Sequence, residues 1–357
     1  MATLRLRDRD AIITKEGLIF RVFGYSHPSN AYICDAEYAP AEIFKSDDPK
    51  AFRTNEKHVF YKFYEDEGWN FIKNNFLQYM IFHEMLGKKV VSVECHNIVE
   101  VRRPNEELRK LTETEPKDEL LAALQNVLKL ITKHSGLSIK NFGVFGSLLH
   151  GFYHPKFSDI DLIIYGRENT VKLCKTLQES YKDRHSLLRN EFESEESIRG
   201  KNWRFQNYSP KEFVWHQQRK MFYALFKDEK GERIIKTEFE PVKDWEEIGN
   251  IYSSETIIVQ KGWTKMFARV IDDQDAPFIP SVYGIEPITV LHGTSGAKKV
   301  TRIVSFVEEF RMQAHKDEKV CVEGNLEEVT TPGGSFHQVT LTYCPRYYEQ
   351  VLKVAPA

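Results

Sequence analysis

The sequence predicts an α+β protein, with an α/β core, an α/β region before it and a β-rich, barrel-like domain after it. Three observations lead to this class. Helical and strand-like patterns alternate around a glycine turn in the middle of the chain, both types occur before it, and short strand patterns dominate after it. The length of 357 residues suits two or three domains.

The N-terminal region, residues 1–110, contains three segments rich in β-branched and aromatic residues, which predict strands over 11–14, 18–23 and 89–93. Between them, apolar residues at helical spacing predict a helix over residues 69–85. A polar stretch that begins at Arg102, ends at Pro116 and contains two prolines is the predicted linker to the next domain.

The central domain is predicted over residues 111–250. A helix begins near Asp118, carries one apolar stripe and ends at Gly136. Two strands and a helix follow, over residues 141–145, 158–165 and 168–181, with a turn at Gly146-Ser147. A hairpin then joins the strands 223–226 and 234–240 through a turn that contains Gly231.

The C-terminal domain is predicted over residues 251–357. Its strand patterns include 301–310, 319–323 and 337–343, and Pro332-Gly333-Gly334 marks a turn between the last two. Five or six short strands within about 105 residues predict a small barrel.

Composition narrows the class of protein. With 50 Lys+Arg against 52 Asp+Glu the formal charge is −2, which argues against a globally basic surface that grips nucleic acid. No apolar run is long enough to span a membrane, and the N-terminal residues are charged where a signal peptide needs an apolar core. Five scattered cysteines without a Cys-x-x-Cys pair are typical of a protein of the reducing cytoplasm.

The residues that indicate a reaction lie in one short stretch, residues 146–161. Side chains alternate across a strand, so Asp159 and Asp161 point the same way while Ile160 faces the core. Two like charges on a rigid strand favour a divalent cation such as Mg²⁺, which takes carboxylate and phosphate oxygens. Gly146-Ser147 opens a helix directly after a strand, where exposed backbone N–H groups favour a phosphate. Together these features indicate phosphoryl or nucleotidyl transfer.

This order of residues resembles the signature of the DNA polymerase beta-type nucleotidyltransferase superfamily: Gly146-Ser147, a further glycine at Gly151, then Ser158-Asp159-Ile160-Asp161-Leu162. The superfamily includes CCA-adding enzymes, poly(A) polymerases, antitoxin nucleotidyltransferases and drug-modifying nucleotidyltransferases. The match is tight from Phe142 to Tyr165 and follows the order of elements over roughly 115–245. The whole chain is similar to uncharacterised archaeal proteins described as predicted nucleotidyltransferases.

The resemblance implies that Gly146 and Ser147 hold the triphosphate of a nucleoside triphosphate such as ATP. It also implies that Asp159 and Asp161 bind two Mg²⁺ ions, for which Mn²⁺ is a substitute. A third carboxylate, the base or a metal ligand for the acceptor hydroxyl, is expected on a nearby strand. Glu238 is preferred over Glu240 because Glu240 abuts Pro241, where strand pairing ends. The family commonly has aspartate there, so glutamate is a departure.

A basic and aromatic stretch precedes the hairpin. Residues 199–220 contain six Lys or Arg and one Glu, a local charge of +5, interleaved with aromatic residues. Such a stretch can bind RNA or another nucleic acid, and the alternative is that the aromatic residues are core contacts of a helix. Arg219 and Lys220, which lie just before the strand pair, are predicted to contact the triphosphate.

The expected function is therefore Mg²⁺-dependent transfer of a nucleoside monophosphate to an acceptor hydroxyl, with release of pyrophosphate. The acceptor is an RNA end, a protein side chain or a small molecule. One alternative is a non-catalytic protein that binds nucleotide or RNA on the same fold. Another is an antitoxin-like regulator that modifies a partner protein.

Overall fold

The computed structural model describes residues 4–55, 58–198, 204–228, 233–343 and 346–355. The chain divides into two compact units. The first is formed by Met1–His83, Lys88–Ser180 and Leu225–Tyr252, and the second by Glu84–Gly87, Tyr181–Ala224 and Ser253–Ala357. The first unit thus combines the predicted N-terminal region with most of the predicted central domain, and the second adds residues 181–224 to the predicted C-terminal domain.

The predicted α+β class is confirmed, since six α-helices and three β-sheets occur within the described residues. Among these residues, none of the helices has the length and apolar character that crossing a bilayer requires. Four of the five cysteines, Cys34, Cys95, Cys174 and Cys321, are free thiols, and Cys344 lies outside the described residues.

The N-terminal part of the first unit is built on an eight-stranded sheet. Its elements are β1 (Ala11–Ile13), β2 (Ile19–Val22), β3 (Ala31–Pro40), β4 (Phe52–Thr54), β5 (Val59–Lys62), α1 (Glu67–Asn75), β6 (Met80–His83), β7 (Lys88–Glu94) and β8 (Glu100–Arg102). The strand order is β4-β5-β3-β2-β1-β8, and β7 joins β3 to β6.

The helix predicted over residues 69–85 is correct as far as Asn75 and wrong beyond it. The helix α1 ends at Asn75, and Met80–His83 form strand β6, which pairs antiparallel with β7. The apolar residues from Met80 to Phe82 lie next to the β-branched residues Val90 and Val91, so pairing with that strand overrides the helical spacing.

The elements that come next begin with a helix inside the stretch from Arg102 to Pro116 that was predicted as a linker, and from the second helix onward they follow the predicted order. These are α2 (Pro104–Glu113), α3 (Glu119–Ser135), β9 (Phe142–Val144), α4 (Gly146–His150), β10 (Ile160–Tyr165) and α5 (Arg167–Lys182). The start and the end predicted for α3 are confirmed: the Asp118 side chain accepts a hydrogen bond from the Leu121 N–H, and Gly136 takes a left-handed conformation after the last turn.

Further along the chain lie β11 (Leu188–Asn190), α6 (Pro210–Arg219), β12 (Tyr223–Lys227) and β13 (Ile234–Val242). The predicted turn residue Gly231 lies outside the described residues. Strand β13 pairs parallel with β10, which pairs antiparallel with β9 on its other side. In this register Asp161 lies opposite Glu238, and Ile163 lies opposite Glu240, so all four residues share one face of the sheet.

The second unit contains the long strands of the C-terminal part. They are β14 (Ile257–Asp275), β15 (Ser281–His292), β16 (Val300–Ser305), β17 (Lys319–Thr331), β18 (Gly334–Leu341) and β19 (Val351–Val354). The predicted turn between β17 and β18 is confirmed by the pairing of Thr331 with Gly334. Strand β14 pairs with both β15 and β17, so the pairings run in the ring β14-β15-β16-β18-β17-β14, with β16 and β18 parallel.

Candidate functional site

The turn between β9 and α4 lies directly against the Asp161 side chain. The Phe145 N–H donates a hydrogen bond to the Asp161 carbonyl oxygen at 2.9 Å, and Gly146 has a φ of +57°. A Cβ at Gly146 would lie 2.6 Å from Oδ2 of Asp161. Only glycine allows this approach, so the first turn of α4, with the partly exposed Ser147, is held beside a carboxylate.

The acidic residues of the sheet face lie around Asp161. Asp159 is exposed and Glu238, opposite Asp161 in the parallel pairing, is half-buried. Burial raises the pKa of the Asp161 carboxyl to about 6, and the neighbouring Asp159 carboxylate adds to the rise. Glu240 also raises this pKa, whereas Lys62 and Lys236 lower it. The site is therefore short of positive charge at Asp161.

Glu240 is in a different environment from Glu238. It is only 5% exposed, and its Oε2 accepts a hydrogen bond from Nη2 of Arg9 at 2.8 Å. Arg9 is itself fully buried, with its guanidinium 5.0 Å from the ring centre of Phe145. Glu240 therefore already has a cationic partner supplied by the N-terminal region, while Glu238 lies opposite Asp161 in the strand pairing.

The N-terminal region also brings Lys62 to the site, a residue that the sequence gave no reason to choose. On β5, Phe60 packs against Phe152, which follows α4, with ring centres 4.8 Å apart. Lys62 is two residues further along the same strand, so it leaves β5 on the same face as Phe60. Its ammonium lowers the pKa of Asp161, as expected for a cation that faces this carboxylate.

These residues fit a divalent cation in one particular way. Among the described residues, no group of three or more His, Cys, Asp or Glu side chains is close enough to hold a metal ion alone. Asp161, with its raised pKa, and the exposed Asp159 next to it would instead hold a cation whose remaining positions are filled by phosphate oxygens or water. Mg²⁺ commonly binds through one or two carboxylates together with substrate phosphates.

The cations predicted at the triphosphate have protein partners in the second unit. Arg219 forms an ion pair with Glu318, and its guanidinium lies 4.3 Å from the ring centre of Trp215. Lys220 is 0% exposed and donates to Oε1 of Gln217 at 2.8 Å and to the Glu309 carbonyl oxygen at 2.5 Å. Both side chains thus stabilise the fold of that unit.

The aromatic residues of the basic stretch divide between core and surface. Phe213 packs against the core of the second unit, as the alternative interpretation expected for a helix, and Phe205 and Tyr208, which precede α6, belong to that core. Trp215 is 45% exposed. Arg199 and Lys201, which contribute to the predicted +5 charge, and the aromatic Trp203 lie outside the described residues.

Comparison with known proteins agrees with the site. Residues 124–235 match the family described as nucleotidyltransferase domain. An uncharacterised protein of Methanocaldococcus jannaschii is 26% identical over 337 residues, which cover 93% of this chain and 93% of that protein. No solved structure matches the chain. The resemblance inferred from the motifs is confirmed, and the residues that match the family contain α4, β10 and the start of β13.

Proposed function

We propose that this protein is a Mg²⁺-dependent nucleotidyltransferase, which transfers a nucleoside monophosphate from a nucleoside triphosphate to an acceptor hydroxyl and releases pyrophosphate. The observation that carries the proposal is the contact between Gly146 and the Asp161 carboxylate within a nucleotidyltransferase domain. It holds a phosphate-binding turn and a carboxylate pair side by side, as this reaction requires.

Each group has a separate role in this proposal. Asp159 and Asp161 hold the Mg²⁺ ions, which Mn²⁺ can replace. When bound, the metal neutralises charge on the phosphoryl oxygens and on the departing pyrophosphate. The backbone N–H groups at Gly146 and the Ser147 hydroxyl bind the triphosphate. Lys62 takes the cationic role there that the sequence assigned to Arg219 and Lys220.

Glu238 is the third carboxylate of the proposed site. It lies opposite Asp161 and is half-buried, whereas Glu240 is paired with Arg9. In the reaction, the acceptor oxygen forms a bond to the α-phosphorus as the bond to pyrophosphate breaks. Glu238 binds or accepts the proton that leaves the acceptor hydroxyl. The acceptor is an RNA end, a protein side chain or a small molecule.

We further propose that the ring of strands in the second unit is a small closed barrel. The support is the pairing of β14 with β17, which joins the two ends of the order β14-β15-β16-β18-β17, around a core that includes Met266, Val322 and Val339. Such closure removes exposed strand edges.

The test is a transfer assay with Mg²⁺ and each of the four labelled nucleoside triphosphates, in the presence of total RNA and of a cell lysate. We expect label on RNA, on a protein or on a small molecule with the wild type, and none with Asp159→Asn or Asp161→Asn. Asp66→Asn is the matched control, because this exposed aspartate caps α1 without a side-chain hydrogen bond.

The labelled product separates the alternatives. Label on a single protein band supports the regulator that modifies a partner, and label on RNA supports an RNA-end acceptor. Nucleotide binding without any transfer favours the non-catalytic protein. Full activity in both aspartate variants would contradict the assignment of the metal-binding pair.

A further inference from the structure

A polar cavity lies within the first unit, away from the candidate site. It has a volume of about 420 Å³ and is lined by three arginines, Arg5, Arg7 and Arg103, together with Trp245 and Asp10. The volume is in the range of pockets for small ligands. Three guanidinium groups around one cavity are the chemistry that recognises phosphate, because each offers several N–H donors in a planar fork.

The arginines are held in place by aromatic rings. The guanidinium of Arg7 lies 3.6 Å from the ring centre of Tyr165 and 4.7 Å from that of Trp245. The guanidinium of Arg5 lies 4.5 Å from the same Trp245 ring, and its Nη2 donates to the Trp245 carbonyl oxygen at 3.0 Å. This stacking orders the side chains before a ligand binds, which reduces the entropy lost on binding.

Arg7 is a buried charge that contacts the Tyr165 side chain and has long polar contacts with the residues after β13. Its side chain is 6% exposed, and Nη1 lies 3.4 Å from the Lys243 carbonyl oxygen and 3.5 Å from Oδ1 of Asp244. Both distances exceed the 2.7–3.2 Å of ordinary N–H···O hydrogen bonds. A buried guanidinium with such long contacts gains from an anion in the cavity that it lines.

The beginning of α2 adds donors at the same cavity. Arg103 is the N-cap of this ten-residue helix, no side chain caps its N-terminus, and the first-turn residues Asn105 and Glu106 line the cavity. Glu106 is exposed and pairs with Arg103 at 3.3 Å, so it lies at the rim rather than in the interior. A helix N-terminus favours an anion in addition to the arginines.

Asp10 is the acidic residue inside the cavity. Burial raises the pKa of its carboxyl to about 7, although the Arg7 backbone N–H and the charges of Arg7 and Arg103 lower it, and Asp8 raises it further. Near neutral pH a large fraction of Asp10 is therefore uncharged, so Asp10 repels a bound anion only weakly.

The cavity is separate from the candidate site. Asp161 is near the start of β10 and Tyr165 is at its end, about 13 Å away at the usual rise of a strand. The buried Arg9–Glu240 pair lies between them on the same face. The cavity is thus at the carboxyl ends of the parallel strands β10 and β13, where open α/β sheets commonly bind ligands.

We propose that this cavity is a second anion site, which binds a phosphate group carried either by inorganic phosphate or by a nucleoside monophosphate. The inference does not depend on the proposed transfer reaction. It requires only that Arg5, Arg7 and Arg103 bind one phosphate together.

The experiment is calorimetric titration of the full chain, without Mg²⁺, with inorganic phosphate and separately with AMP. Arg5→Gln and Arg103→Gln are the test variants, because these side chains are at least partly exposed and their loss leaves the core intact. We expect each to weaken binding by about tenfold or more. Arg109→Gln, an exposed position further along α2, is the matched control and should bind like the wild type.

Asp161→Asn must also bind like the wild type, which separates this cavity from the candidate site. Tighter binding of AMP than of phosphate would assign a nucleotide as the source of the phosphate, and equal affinity would assign phosphate itself. Equal affinity of the wild type and both arginine variants would overturn the proposal. So would the absence of binding at about 10 mM of either ligand, the weak end of specific recognition.

Discussion

Substitution of Gly146 by alanine tests the central contact of the candidate site. The new Cβ would lie 2.6 Å from Oδ2 of Asp161, so the carboxylate must retreat by roughly 0.8 Å to reach an ordinary contact of 3.4 Å. A displacement of about 1 Å in a catalytic group costs on the order of 100-fold in rate, equivalent to about 3 kcal/mol of transition-state stabilisation. The positive φ at this residue adds about 1–2 kcal/mol of backbone strain to the folded state.

Gly151 provides the matched control at the other end of α4. Its φ is +68°, but a Cβ there would meet no atom within 4 Å. Gly151→Ala should therefore lose the same 1–2 kcal/mol in free energy of unfolding by urea titration, with no displacement of Asp161. We expect Gly146→Ala to lose about 100-fold in transfer of labelled nucleotide relative to Gly151→Ala. Rates within about threefold of each other would refute the placement of Asp161 at the reacting phosphates.

Three further results are expected. Glu240→Gln should lower the free energy of unfolding by about 3–5 kcal/mol because it removes one charged partner of the buried Arg9, whereas Glu238→Gln should keep the stability and lose at least about 100-fold in transfer rate. The reverse pattern would exchange their roles. Lys62→Gln should weaken binding of the nucleoside triphosphate by about tenfold in calorimetry, and unchanged affinity would remove Lys62 from the site. Burial lowers the pKa of His216 to about 4, so between pH 6.5 and 4 only the unfolded chain takes up this proton. The free energy of unfolding should therefore fall by about 3 kcal/mol as the pH falls through that window. His216→Gln should remove this part of the pH dependence in urea titrations at several pH values, and an unchanged slope would contradict the prediction.

The close pair at the centre of the site was predictable from the sequence because it is local. Gly146 and Asp161 are only fifteen residues apart, at the first residue of α4 and near the start of β10, whereas Asp159, which was predicted inside this strand, lies just before it. The preference for Glu238 over Glu240 rested on Pro241, where strand pairing was predicted to end, but β13 stays paired with β10 through Pro241 and Val242. The structure separates them through Arg9, which comes more than 200 residues earlier in the chain.

The fold was predictable where a pattern had one interpretation. The apolar stripe of α3 and its cap at Asp118 belong to this group. The pattern from Met80 to His83 fits both a helix and a strand, and pairing with β7 makes it a strand. Lys220 was predicted to contact the triphosphate because it lies just before the strand pair that carries Glu238. Its burial depends on the Glu309 carbonyl, a partner 89 residues away.

Residues 4–10 connect the N-terminal region to the sheet that contains β10 and β13. Leu4 and Leu6 pack in the core of the eight-stranded sheet, whereas the guanidinium groups of Arg5 and Arg7 lie against the Trp245 ring. Arg9 forms an ion pair with Glu240 on β13, and Arg7 stacks on Tyr165 at the end of β10. Without this segment, Glu240 would be an unpaired buried carboxylate beside Asp161 and would raise its pKa further. The charged N-terminal segment, which in the sequence only argued against a signal peptide, therefore supplies the cationic partner of Glu240 next to the candidate site.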